Sequence, residues 1–450
     1  MATLAMGRKG SPQPRPLALC LALALGTAGA LAFVQTAPAA VLAVSNCNDS
    51  GSGSLREAVA AAADGDTVDL STLMCGTITL TSGAITVAQS SLSLDGPGAD
   101  ELAIDGDFND RVFRHTGTNG TLSISALTVR HGKYVSNADP HGGCIVSAGN
   151  VALLGTTVAE CVLVGQENAL ARGGAVLADG NLIMLLSTLS GSVVNGSATG
   201  SISNAEGGGA VMFGDFTCKY STISDNSANA QEGHNSSGGG VQAFGGVTII
   251  GSTFSGNYAS GFGAIIIQGS SGSALISNST ISNNAAREFS AVYTQLPLKV
   301  SNSTIAFNRA RFGRGALYSQ IAPLELQSSI IAGNEETGSA QPDDVNGTGA
   351  TVVTGANNLI TSSTIALPAD TITDCAQLAP LADNGGTTRT HALRDTSPAI
   401  DVGNNVDGLT NDQRGSPRVS GAAADIGAYE WQGAVDEFLF SSGFEPVCDQ

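Results

Sequence analysis

Apolar and polar residues alternate in short runs along most of this chain, as in Thr77-Ile78-Thr79-Leu80, Ile85-Thr86-Val87 and Leu92-Ser93-Leu94. A period of two puts every second side chain on one face of a strand, whereas a helix repeats at about 3.6. Residue types agree, since Val, Ile and Thr suit a pleated surface while Ser, Thr, Gly and Asn are poor in helix interiors. The pattern predicts many short strands joined by Gly-, Asn- and Ser-rich turns. One phrase, Ser-Thr-apolar-Ser-x-Asn, keeps returning: Ser221 to Asn226, Ser252 to Asn257, Ser279 to Asn284, and, with Ala306 replacing the second serine, Ser303 to Asn308. Weaker copies begin at Thr156, Ser187 and Ser329.

The second residues of these copies are Thr157, Thr188, Thr222, Thr253, Thr280, Thr304 and Ile330, a spacing of roughly 24 to 34 residues. Such a period signals a solenoid, in which each unit buries its apolar side only by stacking on its neighbours. Helical solenoids conflict with the residue types, and a leucine-rich horseshoe needs more leucines per repeat than these carry. The expected fold is therefore all-β: a right-handed parallel β-helix, each repeat one coil, stacked at about 4.8 Å. Ile223, Phe254, Ile281, Ile305 and Ile331 should then lie above one another inside, with Asn226, Asn257, Asn284, Asn308 and Asn334 filed at one turn, satisfying turn amides coil after coil.

The first forty residues read differently. Arg8, Lys9 and Arg15 precede an apolar run from Leu17 to Val34 and small residues at Ala37-Pro38-Ala39-Ala40, the pattern of a secretory signal peptide. No later stretch is long and apolar enough for a membrane helix, so the mature chain is expected to lack a transmembrane segment. The chain carries 38 acidic against 19 basic residues, a formal net charge of −19, which repels nucleic acid phosphates and excludes that class of partner. In an oxidising compartment some cysteines should pair. Cys47 with Cys75 would close the N-terminal region, and Cys144 with Cys161 would join neighbouring coils; an odd number of mature cysteines leaves at least one thiol over.

The open ends of a solenoid need covers. Ser54 and Glu57 form a capping box, Ser at N-cap and Glu at N3, opening a helix through Ala63 that Asp64-Gly65-Asp66 stops. The segment Cys47 to Leu70 resembles the CSLREA segment at the N-terminus of secreted bacterial β-helix proteins, with its cysteine displaced upstream. Gly173-Gly174-Ala175-Val176, Gly208-Gly209-Ala210-Val211 and Phe254-Ser255-Gly256-Asn257 resemble the polymorphic outer-membrane protein repeat. Six blocks follow: Asp344-Val345-Asn346-Gly347, Asn357-Asn358-Leu359-Ile360, Asn384 to Thr388, Ser397 to Gly403, Asp412-Gln413-Arg414-Gly415 and Asp425 to Glu430. In that order they resemble the choice-of-anchor Q family, secreted β-helix proteins with differing surface-attachment tails and no established catalytic activity. The resulting division is a signal peptide over 1–40, an N-terminal cap over 41–70, the β-helix over 71–360, a C-terminal cap over 361–432 and a tail over 433–450.

Candidate chemistry is sparse. Pectate lyases and polygalacturonases share the β-helix, and their chemistry needs convergent carboxylates, with calcium for the lyases. Asp179, Asp215 and Asp225 come from successive coils, but each sits beside Gly or Asn, where a turn explains it. His131 and His141 flank the first repeats and read as isolated loop histidines, with a small site as the alternative. The run Asp401 to Asp412 superficially looks like a calcium loop, yet with Gly408 at its sixth place the first and twelfth positions are Gly403 and Arg414. No cofactor is expected, and calcium there is only a weak alternative. Asp412, Arg414, Arg418, Asp425 and Glu430 form the densest charged set and read as an ion-pair network closing the last coils. Arg309, Arg311 and Arg314 are the basic cluster of the middle, either contacting an anionic glycan or facing solvent among acidic neighbours.

No catalytic set is assigned. The sequence therefore points to a secreted or surface-exposed structural or adhesive β-helix protein of a Gram-negative bacterium, non-catalytic, meeting a cell-surface glycan or envelope component. The alternative is a polysaccharide lyase or glycoside hydrolase acting on an extracellular acidic polysaccharide.

Overall fold

The computed structural model describes residues 39–197, 204–231, 236–338 and 341–433. Nearly all of the expected signal peptide and tail lie outside the described residues. Three long sheets build the cylinder. The first has twelve strands, from Val41–Ala43 to Val353–Ala356; the second has eleven, from Thr77–Thr79 to Leu359–Ile360; the third has ten, from Ile85–Val87 to Val345–Gly347. Successive coils pair in parallel and in register, Ile223 on Phe254 and Phe254 on Ile281. The chain is a parallel β-helix.

The repeated phrase forms the second sheet. Its apolar residues, Ile223, Phe254, Ile281, Ile305 and Ile331, are fully buried inside. Its asparagines make one buried file: the Nδ2 groups of Asn226, Asn257, Asn284 and Asn308 each donate to the next Oδ1, at 2.9–3.0 Å. The same amides also donate to carbonyls of the preceding coil, Asn257 to Ile223 O and Asn284 to Phe254 O. The file ends at Asp344, whose Oδ1 accepts from Asn334. Leading serines make a second file, in which the Ser221 amide donates to Ser252 Oγ and the Ser252 amide to Ser279 Oγ. Buried backbone groups that would each cost about 1–3 kcal/mol unpaired are thereby satisfied.

From Lys133–Ser136 onward a further sheet stands out between the second and third as a flap, with outgoing strands such as Val162–Gly165 and returning ones such as Leu170–Arg172. A small core of Leu163, Ala171, Val194, Ala205, Ala228 and Ala259 fills it. The Gly-Gly motifs are its return corners. Gly207 has φ +63°, and a Cβ there would lie 2.3 Å from Ala210 O, so only glycine fits.

The helix spans Leu55–Ala61, shorter than expected; Ser54 Oγ accepts from the Glu57 amide, and Glu57 Oε2 reaches back to the Gly53 amide. The region assigned as an N-terminal cap also supplies strands Val41–Ala43 and Thr67–Asp69, which pair with each other and extend the ladder below residue 71. No helix among the described residues is long and apolar enough to cross a membrane. Disulfides join Cys47 to Cys75, Cα atoms 6.4 Å apart, and Cys144 to Cys161, 5.5 Å apart. Cys218 is a buried free thiol whose pKa burial pushes up to about 12.

The C-terminal segment departs from the simple cap expected of it. Residues near Ile365 and Leu367 do meet the open end of the interior. After Ile372, however, the chain turns back and lies along the outside of the second sheet: Thr388 Oγ1 donates to Gly251 O, and Thr253 Oγ1 donates to Arg389 O. The physical reason lies in the outward side chains. Ile330 and Ala332 are apolar where earlier coils carry Thr and Ser, and they bury against Leu393, Ala399, Ile426 and Tyr429 of this clasp.

Candidate functional site

The outer face of the third sheet carries the open clefts. Thr86, Arg114 and Val146 are in register at its start; Gln242, Ile266, Tyr293 and Tyr318 are in register further on. Over the middle of the sheet Leu177, Val211, Gln242 and Ile266 are buried although they point outward. The flap leans on them: the Ser237 hydroxyl bonds Gln242, and Arg172 lies over the Phe213 ring. The returning strands of the flap run from Leu170–Arg172 to Tyr258–Phe262, and one cleft is left at each end of that run.

The cleft at the C-terminal end has a volume of about 260 Å³ and is lined by Phe262, Ile266, Gln268, Glu288, Phe289, Tyr293, Arg314, Tyr318 and Gln320 among others. Because Tyr293 and Tyr318 hold equivalent places on paired strands, their rings stack nearly parallel, 7° apart with centroids separated by 5.9 Å. Phe289 closes the wall, 4.4 Å from Tyr318 and 5.1 Å from Tyr293. A polar rim follows: Tyr293 Oη donates to Gln320 Oε1 at 2.6 Å, and Gln295 Nε2 donates to the same oxygen at 2.8 Å. Burial raises the Tyr293 phenol above its ordinary pKa, so it stays a neutral donor. Glu288 and Arg314 pair at 2.9 Å, and Arg314 sits over Phe289. Flat aromatic surface beside amide and hydroxyl groups is the chemistry that holds a sugar ring, apolar C–H face on the platform and hydroxyls to the rim.

Sequence reasoning missed this platform. Its members stand at 289, 293 and 318, unremarkable singly; the usable signal was the Tyr293 to Tyr318 separation, one coil of the local repeat.

The structure gathers the C-terminal charged set inside the clasp. Arg418, only 1% exposed, donates to Gly427 O and Asp425 O and lies 3.4 Å from Glu430. Glu430 accepts from the amides of Ser420 and Asp425, and burial pushes its pKa up to about 7. Arg414 pairs with Asp412 at 2.7 Å, donates to Glu430 O and stacks on Tyr429. Asp425 accepts from the Asp401 and Trp431 amides. Every one of these bonds joins parts of the clasp to each other.

Other candidates separate. Asp179 and Asp215 are exposed at turns between the third and first sheets, and Asp225 is exposed at a turn of the second. His131 bridges Asp105 and Glu160, at 3.0 and 2.8 Å. His141 instead lines the cleft at the N-terminal end of the flap. Arg309 pairs with Glu335, while Arg311 stands near Phe312. In the run 401–412, Asp401 accepts from the Ala423 amide, Asn405 closes its own turn to Leu409 and Asp407 pairs with Lys299. Among the described residues no three His, Cys, Asp or Glu side chains come together to hold a metal.

No protein-family model and no curated protein matches the chain. Among solved structures, the crystal structure of pectate lyase Pel9A is similar at 15% sequence identity and a TM-score of 0.47, over 87% of this chain and 96% of that one. Likeness at that level transfers no residue and no activity.

Proposed function

We propose that this chain is an exported β-helix protein of the choice-of-anchor Q type, acting at the surface or in the medium of a Gram-negative bacterium by holding glycan chains without cleaving them. The observation that carries the reading is the Tyr293–Tyr318 platform with its Gln320 and Gln295 rim. Two disulfides support an oxidising destination, and the ordered C-terminal blocks support the family. Within the platform cleft Glu288 is the one carboxylate among the lining residues, and it is tied to Arg314. Hydrolysis by paired carboxylates calls for a second acid.

The test is glycan-array binding by the mature chain, followed by titration of the best ligand into Tyr318→Ala and Tyr293→Ala. Each variant is expected to weaken binding about tenfold or more, since stacked aromatic pairs contribute roughly 0.5–1.5 kcal/mol beyond their buried area. Undiminished binding by both variants overturns the platform. Release of reducing or unsaturated ends from a bound glycan replaces the adhesive reading with the lyase or hydrolase one. Cell fractionation checks the destination, and retention of the mature chain in the cytoplasm refutes it.

A further inference from the structure

The cleft at the N-terminal end of the flap differs in chemistry from the tyrosine cleft. It is larger, about 520 Å³, and Arg111, Arg114, Tyr134 and His141 line it together with Asp110 and Asp139. In a chain with twice as many acids as bases, two adjacent guanidinium groups here have no carboxylate within ion-pairing distance among the described residues. The two acids of the cleft are otherwise engaged. Asp110 accepts from the amides of Ala84 and Arg111, at 3.2 and 2.7 Å, and Asp139 accepts from the Leu170 amide at 2.8 Å.

Arg111 is pre-organised. Its Nε donates to His141 O and Gly142 O, both at 2.9 Å, and its guanidinium lies 3.2 Å from the centre of the Tyr134 ring. Burial acts most strongly against its charge; Tyr134 and the nearby Asp110 support it, Arg114 opposes it, and an anion placed between the two arginines would add to that support. Arg114 is exposed on the third-sheet strand Phe113–His115, free to complete a fork. His141 adds a buried Nε2 without a hydrogen-bond partner. Nothing in the tyrosine cleft has this character, and the flap separates the two.

We propose that this cleft is a second binding site, for an acidic saccharide, with Arg111 and Arg114 clamping the anionic group of one sugar residue beside Tyr134. Carboxylate is the favoured anion, because two planar forks at a rigid site match its two oxygens. The mature protein then has a site for charged glycan apart from the tyrosine platform.

Calorimetric titration of the full mature chain tests this with trigalacturonate, its methyl ester and a sulfated disaccharide as probes. Trigalacturonate is expected to bind, its ester to bind at least tenfold more weakly, and added salt to weaken only the former. Arg114→Gln should lose tenfold or more in trigalacturonate affinity, and Arg111→Lys should lose it as well while keeping the charge. Tyr318→Ala, in the other cleft, should leave trigalacturonate binding unchanged. Equal binding of acid and ester, or wild-type affinity in Arg114→Gln, overturns the proposal. Preference for the sulfated probe with the same dependence on Arg114 supports the anion clamp and identifies sulfate, not carboxylate, as its group. Loss of trigalacturonate binding in Tyr318→Ala but not in Arg114→Gln would move the acidic ligand to the tyrosine cleft and overturn the second site while leaving the tyrosine platform standing.

Discussion

Two halves of the second sheet carry almost the same phrase and live in different surroundings. In the earlier half Thr188, Ser190, Thr222 and Ser224 point outward and remain partly exposed. In the later half Thr280, Ser282 and Thr304 occupy the same positions and are buried, because the clasp lies on them. There Thr280 Oγ1 donates to Gln413 Oε1, Ser282 Oγ bonds His391 Nε2, and Thr304 Oγ1 accepts from the Ala428 amide. Inward residues do not differ: Leu189, Ile223, Ile281 and Ile305 are all fully buried. Strand, register and interior follow from the local phrase. The state of the outer face follows from a segment more than a hundred residues away.

The strongest way to break that contrast is to unfasten the clasp. Arg418→Met leaves Glu430 and two carbonyls buried without their partner, with an expected loss of about 3–5 kcal/mol in urea unfolding of the clasp. Hydrogen exchange should then quicken across 376–431 and the strands beneath it, while the Thr188 and Thr222 strands keep their protection. Uniform loss along both halves would show that the clasp and cylinder melt as one.

Acidity offers a reversible version. Burial holds the His391 imidazole down at about 4, so it is neutral in the fold. Its contribution is complete above pH 6.5 and is lost as pH falls toward 4, about 3 kcal/mol over that interval. Glu430 has the opposite sign: with its pKa raised from 4.5 to about 7, the folded state binds the extra proton and stability declines as pH rises through that window. The two slopes oppose each other in the wild type. His391→Gln should expose the Glu430 slope, a clasp that loosens from pH 4.5 to 7, measured by exchange at the later strands. An unchanged profile in that variant would separate His391 from the pH response.

A control should treat both halves alike. Asn226→Ala and Asn308→Ala each cut one file of buried amides, each costing about 2 kcal/mol in chemical denaturation, since the file runs inside the wall in both halves. A large inequality would mean that the clasp also supports the interior. The smallest and most direct comparison is Thr280→Val against Thr188→Val. The first strands Gln413 Oε1 and should cost about 1 kcal/mol, whereas the second should stay within about 0.5 kcal/mol.

Much of this was open to reading because a solenoid is locally coded. Alternation named the strands, the repeat named the coils, and Ile281 or Asn284 needed only the neighbouring copies to find their places. Helix capping by Ser54 was similarly local. The clasp was half legible: Ser303-Thr304-Ile305-Ala306 and Ser329-Ile330-Ile331-Ala332 lose polarity at outward positions, a sign that something covers them. What covers them was not, because Gln413 and His391 become partners of Thr280 and Ser282 only when the chain doubles back. The tyrosine and arginine clefts were hidden for a related reason. Tyr293 and Tyr318 meet through strand register, and Arg111 meets Tyr134 and the His141 carbonyl through the juncture of flap and third sheet.

By itself the sequence determined the coil, its period, its inward apolar file and its asparagine ladder, since each depends on the side-chain period of a strand and on contacts with an adjacent near-copy. Tertiary structure alone decided which outward faces are bare, covered or hollowed into clefts. Those depend on where the flap and the clasp come to rest, and burial of an outward side chain is set by the element laid across it, not by the residue's own neighbours in the chain.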